Sequence, residues 1–241
     1  MPQPILCPVR NNLHLTRKAI KTFRDQDIAG GVEILVVNNA STDGTTEWLN
    51  SQSDLQVIHK MTPYSVAKSW NTGLEFLFSR GHDHVLVVNN DVELLPYTYR
   101  YLLAQDAAFV TPVSVREFSV ESGAPAHPLE LPRRPHPDFS CFLIRRDTYR
   151  SIGPFDENFK IAFCEDGDYD IRMFKAGIRA FCIDMPFLHH GSATIKNADP
   201  QEIKMIQKQA DANRAYFAKK WGFPMASPEY YAYMRKDEPM S

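Results

Sequence analysis

The sequence predicts an α/β fold, in which a mostly parallel central sheet is sandwiched by helices in a single domain, with a C-terminal helix. Two observations predict it. The chain has 241 residues, of which 44% are hydrophobic, enough for one large α/β domain with a buried core. Short apolar runs alternate with segments of helical periodicity, which is typical of a parallel sheet covered on both faces.

The first half of the chain carries the regular alternation. Apolar runs predict strands, and apolar residues recurring at helical spacing predict helices between them. The segment 38–44, rich in Asn, Ser, Thr, Asp and Gly, predicts a turn after the second strand. The predicted strands are Pro4–Val9, Val32–Val37, Leu55–His59 and His84–Val88, and the predicted helices are Leu13–Phe23 and Val66–Phe78.

The second half is less regular. Residues Glu121–Asp138 are rich in Pro and His and predict a long loop, of the length that often forms a lid or an acceptor-binding flap. Beyond it we expect strands at Phe139–Ile144 and Phe181–Leu188 and a short helix at Asp147–Ile152. A terminal helix follows between Asp199 and Trp221, whose apolar face carries Ile203, Ile206, Ala210, Phe217 and Trp221.

Composition excludes several classes of protein. With 27 basic and 29 acidic side chains, the formal charge of −2 argues against wrapping nucleic acid. The 4 cysteines are scattered and predict reduced thiols in a cytoplasmic protein. The N-terminus lacks the features of a signal peptide, and no apolar run approaches the roughly 20 residues of a membrane span.

Three polar clusters stand where predicted strands end. These are Arg10–Asn12, Asn38–Gly44 and Asn89–Asp91. In open parallel sheets, ligands bind beyond the carboxyl ends of the strands, so the clusters occupy positions that a binding site requires. Neither a G-x-G-x-x-G nor a P-loop motif occurs, so another device must hold any nucleotide.

Carboxylates and a histidine pair are the remaining chemical groups. Asp91 ends a strand, Glu165–Asp170 is an acidic run that opens a helix, and His189-His190 follows another strand. Oxygen ligands with one imidazole suit Mg²⁺ or Mn²⁺, which could neutralise a departing diphosphate. A carboxylate nearby could deprotonate an attacking hydroxyl. Acidic residues in a first helical turn also favour the helix dipole, so a structural role stays open for each.

Five motifs in order resemble the family 2 inverting glycosyltransferases, which have the GT-A fold. The resemblance covers residues 3–195 and rests on Val36–Thr45, Trp70–Gly73, Asn89–Leu94, Gly153–Glu157 and Glu165–Asp168. It implies that residues 1–195 form the GT-A domain and that residues 196–241 form a helical extension packed on it.

The resemblance also implies roles for single residues. Asp166 matches the catalytic base, with Glu165 beside it. Asn89, Asn90 and Asp91 match the D-x-D motif that holds metal and sugar nucleotide, and His190 resembles the histidine completing the metal shell. The other donor-binding residues would be Pro8, Arg10, Asn39, Asp43 and Asn71.

The implied reaction is a metal-assisted, inverting transfer of a sugar from a UDP- or dTDP-linked donor to an acceptor hydroxyl. The cofactor would be Mn²⁺ or Mg²⁺. Because Asn replaces Asp at position 89, we expect weaker metal binding than a full D-x-D provides. The same replacement keeps a second hypothesis open, a catalytically degenerate protein that binds sugar nucleotides without reacting.

The expected acceptor is a carbohydrate or glycolipid, and modified DNA is the minor alternative. The basic C-terminal stretch, formed by Lys204, Lys208, Arg214, Lys219 and Lys220, is expected on a solvated helix face. Peripheral contact with an anionic membrane is the other use open to it. A nucleotidyltransferase is disfavoured because residues 11–14 do not form a Gly-rich basic loop.

Overall fold

The computed structural model describes residues 1–115, 137–191 and 200–234. It contains one 8-stranded sheet in the order β3-β2-β1-β4-β7-β6-β8-β5. The strands are β1 Gln3–Val9, β2 Val32–Asn39, β3 Leu55–Lys60, β4 His84–Val88, β5 Val92–Glu93, β6 Phe109–Val115, β7 Cys141–Arg145 and β8 Phe181–His189. The helices are α1 Leu13–Arg24, α2 Thr45–Asn50, α3 Val66–Ser79, α4 Thr98–Leu103, α5 Arg146–Ile152, α6 Glu165–Lys175, α7 Pro200–Trp221 and α8 Pro228–Met234.

The sheet is mixed in its pairings. Strands β1 to β4 are mutually parallel, as are β6 and β8, whereas β7 pairs antiparallel with both β4 and β6. The short β5 pairs antiparallel with the end of β8. The predicted α/β sandwich is therefore confirmed, with two strands that run against the other six.

Alternating side chains of the strands build a core on each face. Ile5, Cys7 and Val9 of β1 pack with α1 on one face. Leu6, between them, packs with α3 on the other. The approach of α3 to β1 is very close, because a Cβ added to Gly73 would overlap the side chain of Leu6. This contact explains the glycine of the Trp70–Gly73 motif.

A third apolar cluster joins the C-terminal helices to the domain. Phe217 of α7 and Tyr230 of α8 are buried with Phe159 and with Cys164 and Ile171, which lie at the start and in the middle of α6. The buried stripe of α7 is Ile206, Ala210, Asn213 and Phe217. It follows the predicted helical face, except that the polar Asn213 lies within it.

Several elements were not predicted. Strand β6 carries Pro112, which argues against a central strand, and the structure accommodates it at an irregularity in the pairing with β8 between Thr111 and Val113. Helices α2, α4 and α8 and the two-residue β5 are too short for periodicity to reveal them. Of the predicted loop Glu121–Asp138, all but Pro137 and Asp138 lie outside the described residues.

Candidate active site

A cleft of about 570 Å³ opens at the carboxyl ends of β1, β2 and β4. The chain leaves β1 toward β2 on one side, whereas β4 lies on the other side of β1, so the strand order reverses there. Such a reversal leaves a crevice in which α/β proteins bind ligands. The cleft extends from these strand ends to the first turn of α6 and the first turns of α7.

Most of the predicted site residues line this one cleft. Of the predicted donor and metal residues, Pro8, Arg10, Asn39, Asn89, Asn90 and Asp91 do so, together with the predicted catalytic pair Glu165 and Asp166. Residues separated by more than 150 positions in the sequence therefore meet around one space. Asp43, Asn71 and His190 are not among the residues that line it.

The loops after β1 and β2 are joined to each other by side chains. Asn11 Oδ1 accepts a 2.7 Å hydrogen bond from the Thr42 amide, and the Asn11 amide donates to Ser41 Oγ at 2.9 Å. Both Asn11 and Asn12 have positive φ, which asparagine tolerates better than most residues. The Arg10–Asn12 cluster thus shapes the backbone beside the cleft.

Asp43 stabilises the same loops rather than lining the cleft. Its carboxylate accepts hydrogen bonds from the amides of Leu13 at 3.0 Å and Thr45 at 3.2 Å, at the starts of α1 and α2. Burial works to raise the pKa of Asp43, but the bonds from Thr45 and Leu13 outweigh it and hold the pKa below its usual value. The nucleotide-pocket role assigned to Asp43 stays a prediction.

Asn39 lines the cleft with its amide engaged. Its Nδ2 donates to the Tyr64 carbonyl at 2.9 Å, and its Oδ1 accepts from the Tyr64 amide. Asn39 therefore fixes the backbone of Tyr64, which also lines the cleft. Sequence reasoning missed Tyr64, which follows no strand and belongs to none of the recognised motifs.

Asn71 is a buried link within the fold. It donates to the carbonyl of Phe155 at 2.9 Å and to Glu157 Oε1 at 3.0 Å, and it accepts from the Phe155 amide at 2.8 Å. The side chain thus ties α3 to the Gly153–Glu157 turn, which is a second motif of the resemblance. Its place among the donor-binding residues stays a prediction that these contacts do not support.

Asp91 lies beside a histidine, but it is the earlier of the two. His189 lines the cleft, and its Nε2 is 3.5 Å from Asp91 Oδ2. The ring of His190 instead contacts Glu93, with Nε2 2.7 Å from Oε1, while its amide donates to the Asp91 carbonyl at 2.9 Å. Because adjacent strand residues point to opposite faces, only one of the pair can face Asp91.

The donors around Asp91 are compatible with a metal ion that also binds substrate. A carboxylate and an imidazole stand side by side at the cleft. In the part of the chain that the structure describes, no cluster of three His, Cys, Asp or Glu residues could hold a metal alone. Mg²⁺ is often bound by one or two carboxylates together with substrate phosphates, and this donor set fits that pattern.

The two acidic residues that open α6 differ sharply. Glu165 is only 6% exposed, and its Oε2 has no hydrogen-bond partner among the described residues. Burial, and then the charge of Asp166, raise the pKa of Glu165 to about 8. Asp166 is half-buried, and its Oδ1 accepts a 2.8 Å bond from the Gly167 amide at the positive end of α6.

The later acidic residues of this run are structural. Asp168 is fully buried and accepts from Arg172 Nε at 2.9 Å and from Trp221 Nε1 at 3.0 Å. Lys220 Nζ lies 2.6 Å from the same carboxylate. The run that looked uniform in sequence thus divides into a pair at the cleft and Asp168, which anchors α7.

Helix α7 contributes a charged residue to the cleft. Glu202, in its first turn, pairs with Arg10, with Oε1 2.8 Å from Nη2. The other terminal nitrogen of Arg10, Nη1, is buried without a hydrogen-bond partner among the described residues. A buried guanidinium N–H of this kind suits an anionic ligand. Glu202 was missed because no motif surrounds it.

Comparisons with known proteins agree with this geometry. The model of glycosyl transferase family 2 matches residues 5–164. No curated protein sequence matches the chain significantly. No helix in the three described stretches has the length and apolar character needed to cross a membrane.

Several solved structures share the fold at low sequence identity. GalNAc-T7 with UDP, GalNAc and Mn²⁺ has a TM-score of 0.64 at 12% identity, over 98% of this chain and 54% of that one. The mannosyltransferase PcManGT from Pyrobaculum calidifontis, with GDP-Man and Mn²⁺, has a TM-score of 0.57 at 18% identity, over 98% and 81%. TarS 1-349 of S. aureus with UDP has a TM-score of 0.57 at 18% identity, over 90% and 72%. The chain therefore spans about half the length of GalNAc-T7.

Proposed function

Since the chain belongs to glycosyl transferase family 2, we propose that it transfers a sugar, with inversion, from a UDP- or dTDP-linked donor to an acceptor hydroxyl. One observation carries the proposal: a single cleft is lined at one end by Arg10 and Asp91 and at the other by Asp166. A donor diphosphate needs the cation and the metal ligand, whereas the attacking hydroxyl needs the carboxylate.

The strand-end side of the cleft suits the diphosphate. Arg10 offers guanidinium N–H groups, and Asp91 with His189 would hold Mn²⁺ or Mg²⁺. When bound, the ion would offset the negative charge that develops on the leaving nucleoside diphosphate. Among the structural neighbours, GalNAc-T7 and PcManGT are complexes with Mn²⁺, which supports a divalent cofactor here.

Asp166 is better suited than Glu165 to act as the general base. With its pKa raised to about 8, Glu165 carries a proton at neutral pH and cannot accept another. Asp166 lines the cleft and lies where the dipole of α6 favours a negative charge. Both residues were predicted as catalytic, and we now assign the proton transfer to Asp166 alone.

The proposed step is a single displacement. The acceptor hydroxyl gives its proton to the Asp166 carboxylate while its oxygen forms a bond to the anomeric carbon. The bond between that carbon and the diphosphate oxygen breaks at the same time, and its electron pair leaves with the nucleoside diphosphate. Attack opposite the leaving group inverts the anomeric configuration. The acceptor we propose is a carbohydrate or glycolipid.

Nucleoside diphosphate release tests this function. The chain is incubated with UDP-, dTDP- and GDP-linked sugars, with Mn²⁺ or Mg²⁺ and with mono- and oligosaccharide acceptors. We expect acceptor-dependent release with at least one donor, lowered at least 100-fold in Asp91→Asn, because a neutral amide binds the ion more weakly. Donor binding by calorimetry without any release would favour the degenerate binding protein instead.

A further inference from the structure

Residues 160–164, which precede the α6 pair, have an unusual backbone. Ile161, Phe163 and Cys164 have positive φ values of 61°, 84° and 74°. This conformation is uncommon for residues other than glycine, and for a β-branched residue such as Ile161 it is a genuine outlier. Such backbone persists only where surrounding contacts hold it in place.

The side chain of Asn213 provides those contacts. Its Nδ2 donates to the carbonyls of Lys160 and Ala162, both at 2.8 Å, and of Phe163 at 3.1 Å. Its Oδ1 accepts from the Lys160 amide at 3.2 Å. One carboxamide from α7 thus binds four backbone groups within four consecutive residues.

Docking of α7 alone does not require an asparagine at this position. Asn213 is only 1% exposed and lies in the buried stripe between Ala210 and Phe217, where an apolar residue would pack. A buried amide is costly unless its hydrogen bonds are made, and here they are made to the 160–164 segment. The C-terminal part of the helix has its own anchors, because Tyr216 and Lys220 bind Asp156 at 3.0 and 2.7 Å.

The segment held by Asn213 belongs to the cleft. Lys160, Ile161, Ala162 and Phe163 all line it, and the chain then continues through Cys164 into Glu165 and Asp166. The Ile161 carbonyl also accepts from the Val66 amide at 2.8 Å, at the start of α3. The path of residues 160–164 therefore determines where the first turn of α6 meets the cleft.

We propose that Asn213 is a positioning residue, which fixes the 160–164 segment so that Asp166 and the cleft wall formed by Ile161 and Phe163 meet the acceptor. This role rests on the proposed function, because it assumes that Asp166 takes the acceptor proton. It also gives the C-terminal helix, which lies beyond residues 5–164 matched by the family model, a part in the reaction.

Two variants of Asn213 and one control test the role. Asn213→Asp keeps the size of the side chain but replaces the donating NH₂ with an oxygen that faces three carbonyls. Asn213→Ser keeps a single donor and serves if the Asp variant does not fold. Tyr216→Phe is the control, because it removes a hydrogen bond between α7 and Asp156 without touching the 160–164 segment.

Three quantities are measured on the full chain: kcat with acceptor, the Kd for UDP with Mn²⁺ by calorimetry, and amide hydrogen exchange over residues 160–166. For the Asn213 variants we expect kcat at least 10-fold lower, a Kd within twofold of wild type, and exchange at least 10-fold faster. Tyr216→Phe should change none of them by more than twofold.

Two results would overturn the role while leaving the proposed function intact. One is a folded Asn213 variant that keeps kcat within twofold of an active wild type. The other is an equal loss of kcat in Tyr216→Phe at an equal drop in Tm, which reduces Asn213 to general support of α7. A wild-type chain with no turnover under any donor and acceptor overturns the proposed function itself, and this role with it.

Discussion

The two sides of the cleft are built in different ways. The strand-end side consists of residues that directly follow β1, β2 and β4, so the parallel register brings Arg10, Asn39 and Asp91 together. The opposite side consists of the 160–164 segment and the start of α6, which are held by side chains of α7. One side is positioned by sheet geometry and the other by long-range polar contacts.

This difference separates two kinds of acidic and amide residue that look alike in sequence. Asp91 and Asp166 line the cleft, whereas Asp168 and Asn71 are buried in contacts that hold the fold together. Variants should therefore divide into those that lower turnover at unchanged stability and those that lower stability at unchanged nucleotide affinity. The predictions below test this division.

The largest effect on stability is expected at Asp168. Asp168→Asn leaves Lys220 and Arg172 without their buried carboxylate, and removing one partner of a buried ion pair costs about 3–5 kcal/mol. Tm should fall by roughly 2–4 °C for each kcal/mol. Asp211→Asn, which breaks the exposed pair with Arg214, should change stability by less than about 0.5 kcal/mol. Equal behaviour of the two variants in thermal unfolding would contradict the structural role of Asp168.

The next effect concerns Glu165 and depends on pH. Its pKa is raised from 4.5 to about 8, so the folded state holds the proton more tightly than the unfolded state. The stability that this proton provides is complete below pH 4.5 and is lost as pH rises through 8. Across that window the loss is on the order of 3 kcal/mol. Glu165→Gln should unfold with a flatter pH profile, and an unchanged profile would show that Glu165 is ionised in the folded protein.

A smaller effect is expected at Asn71. Asn71→Ala leaves buried groups of the Phe155 turn unpaired and should cost about 1–3 kcal/mol, with the Kd for UDP within twofold of wild type. The adjacent Thr72→Ala removes only a bond to the Lys68 carbonyl within α3 and serves as the control. A tenfold weaker Kd at unchanged stability would instead support the donor-binding role predicted from sequence.

The sequence predicted the strand-end side of the molecule well. Continuous apolar runs indicated β1 to β4, and polar residues after three of them indicated the edge where the cleft opens. The prediction succeeds because both signals are local, and parallel pairing alone brings the ends together. Even here, the ring facing Asp91 belongs to His189 rather than to His190, a difference set by the register of one strand.

The opposite side could not be predicted in the same way. Asn213 lies in an otherwise apolar stripe, and its purpose appears only when residues 160–163 are folded against it. Glu202 reaches Arg10 across 192 positions of sequence, and no local pattern indicates that contact. Burial likewise distinguishes Glu165 from its neighbour Asp166, although the two are equivalent in a list of acidic residues.

The convergence of Arg10, Asp91 and Asp166 on one donor pocket is tested most directly by Asp166→Asn. Its kcat for nucleoside diphosphate release with acceptor and its Kd for UDP with Mn²⁺ are measured beside those of wild type. Loss of a general base should lower kcat by about 10²–10⁴-fold. The Kd should stay within twofold, because the strand-end side is unchanged. Near-normal turnover in this variant would contradict the account.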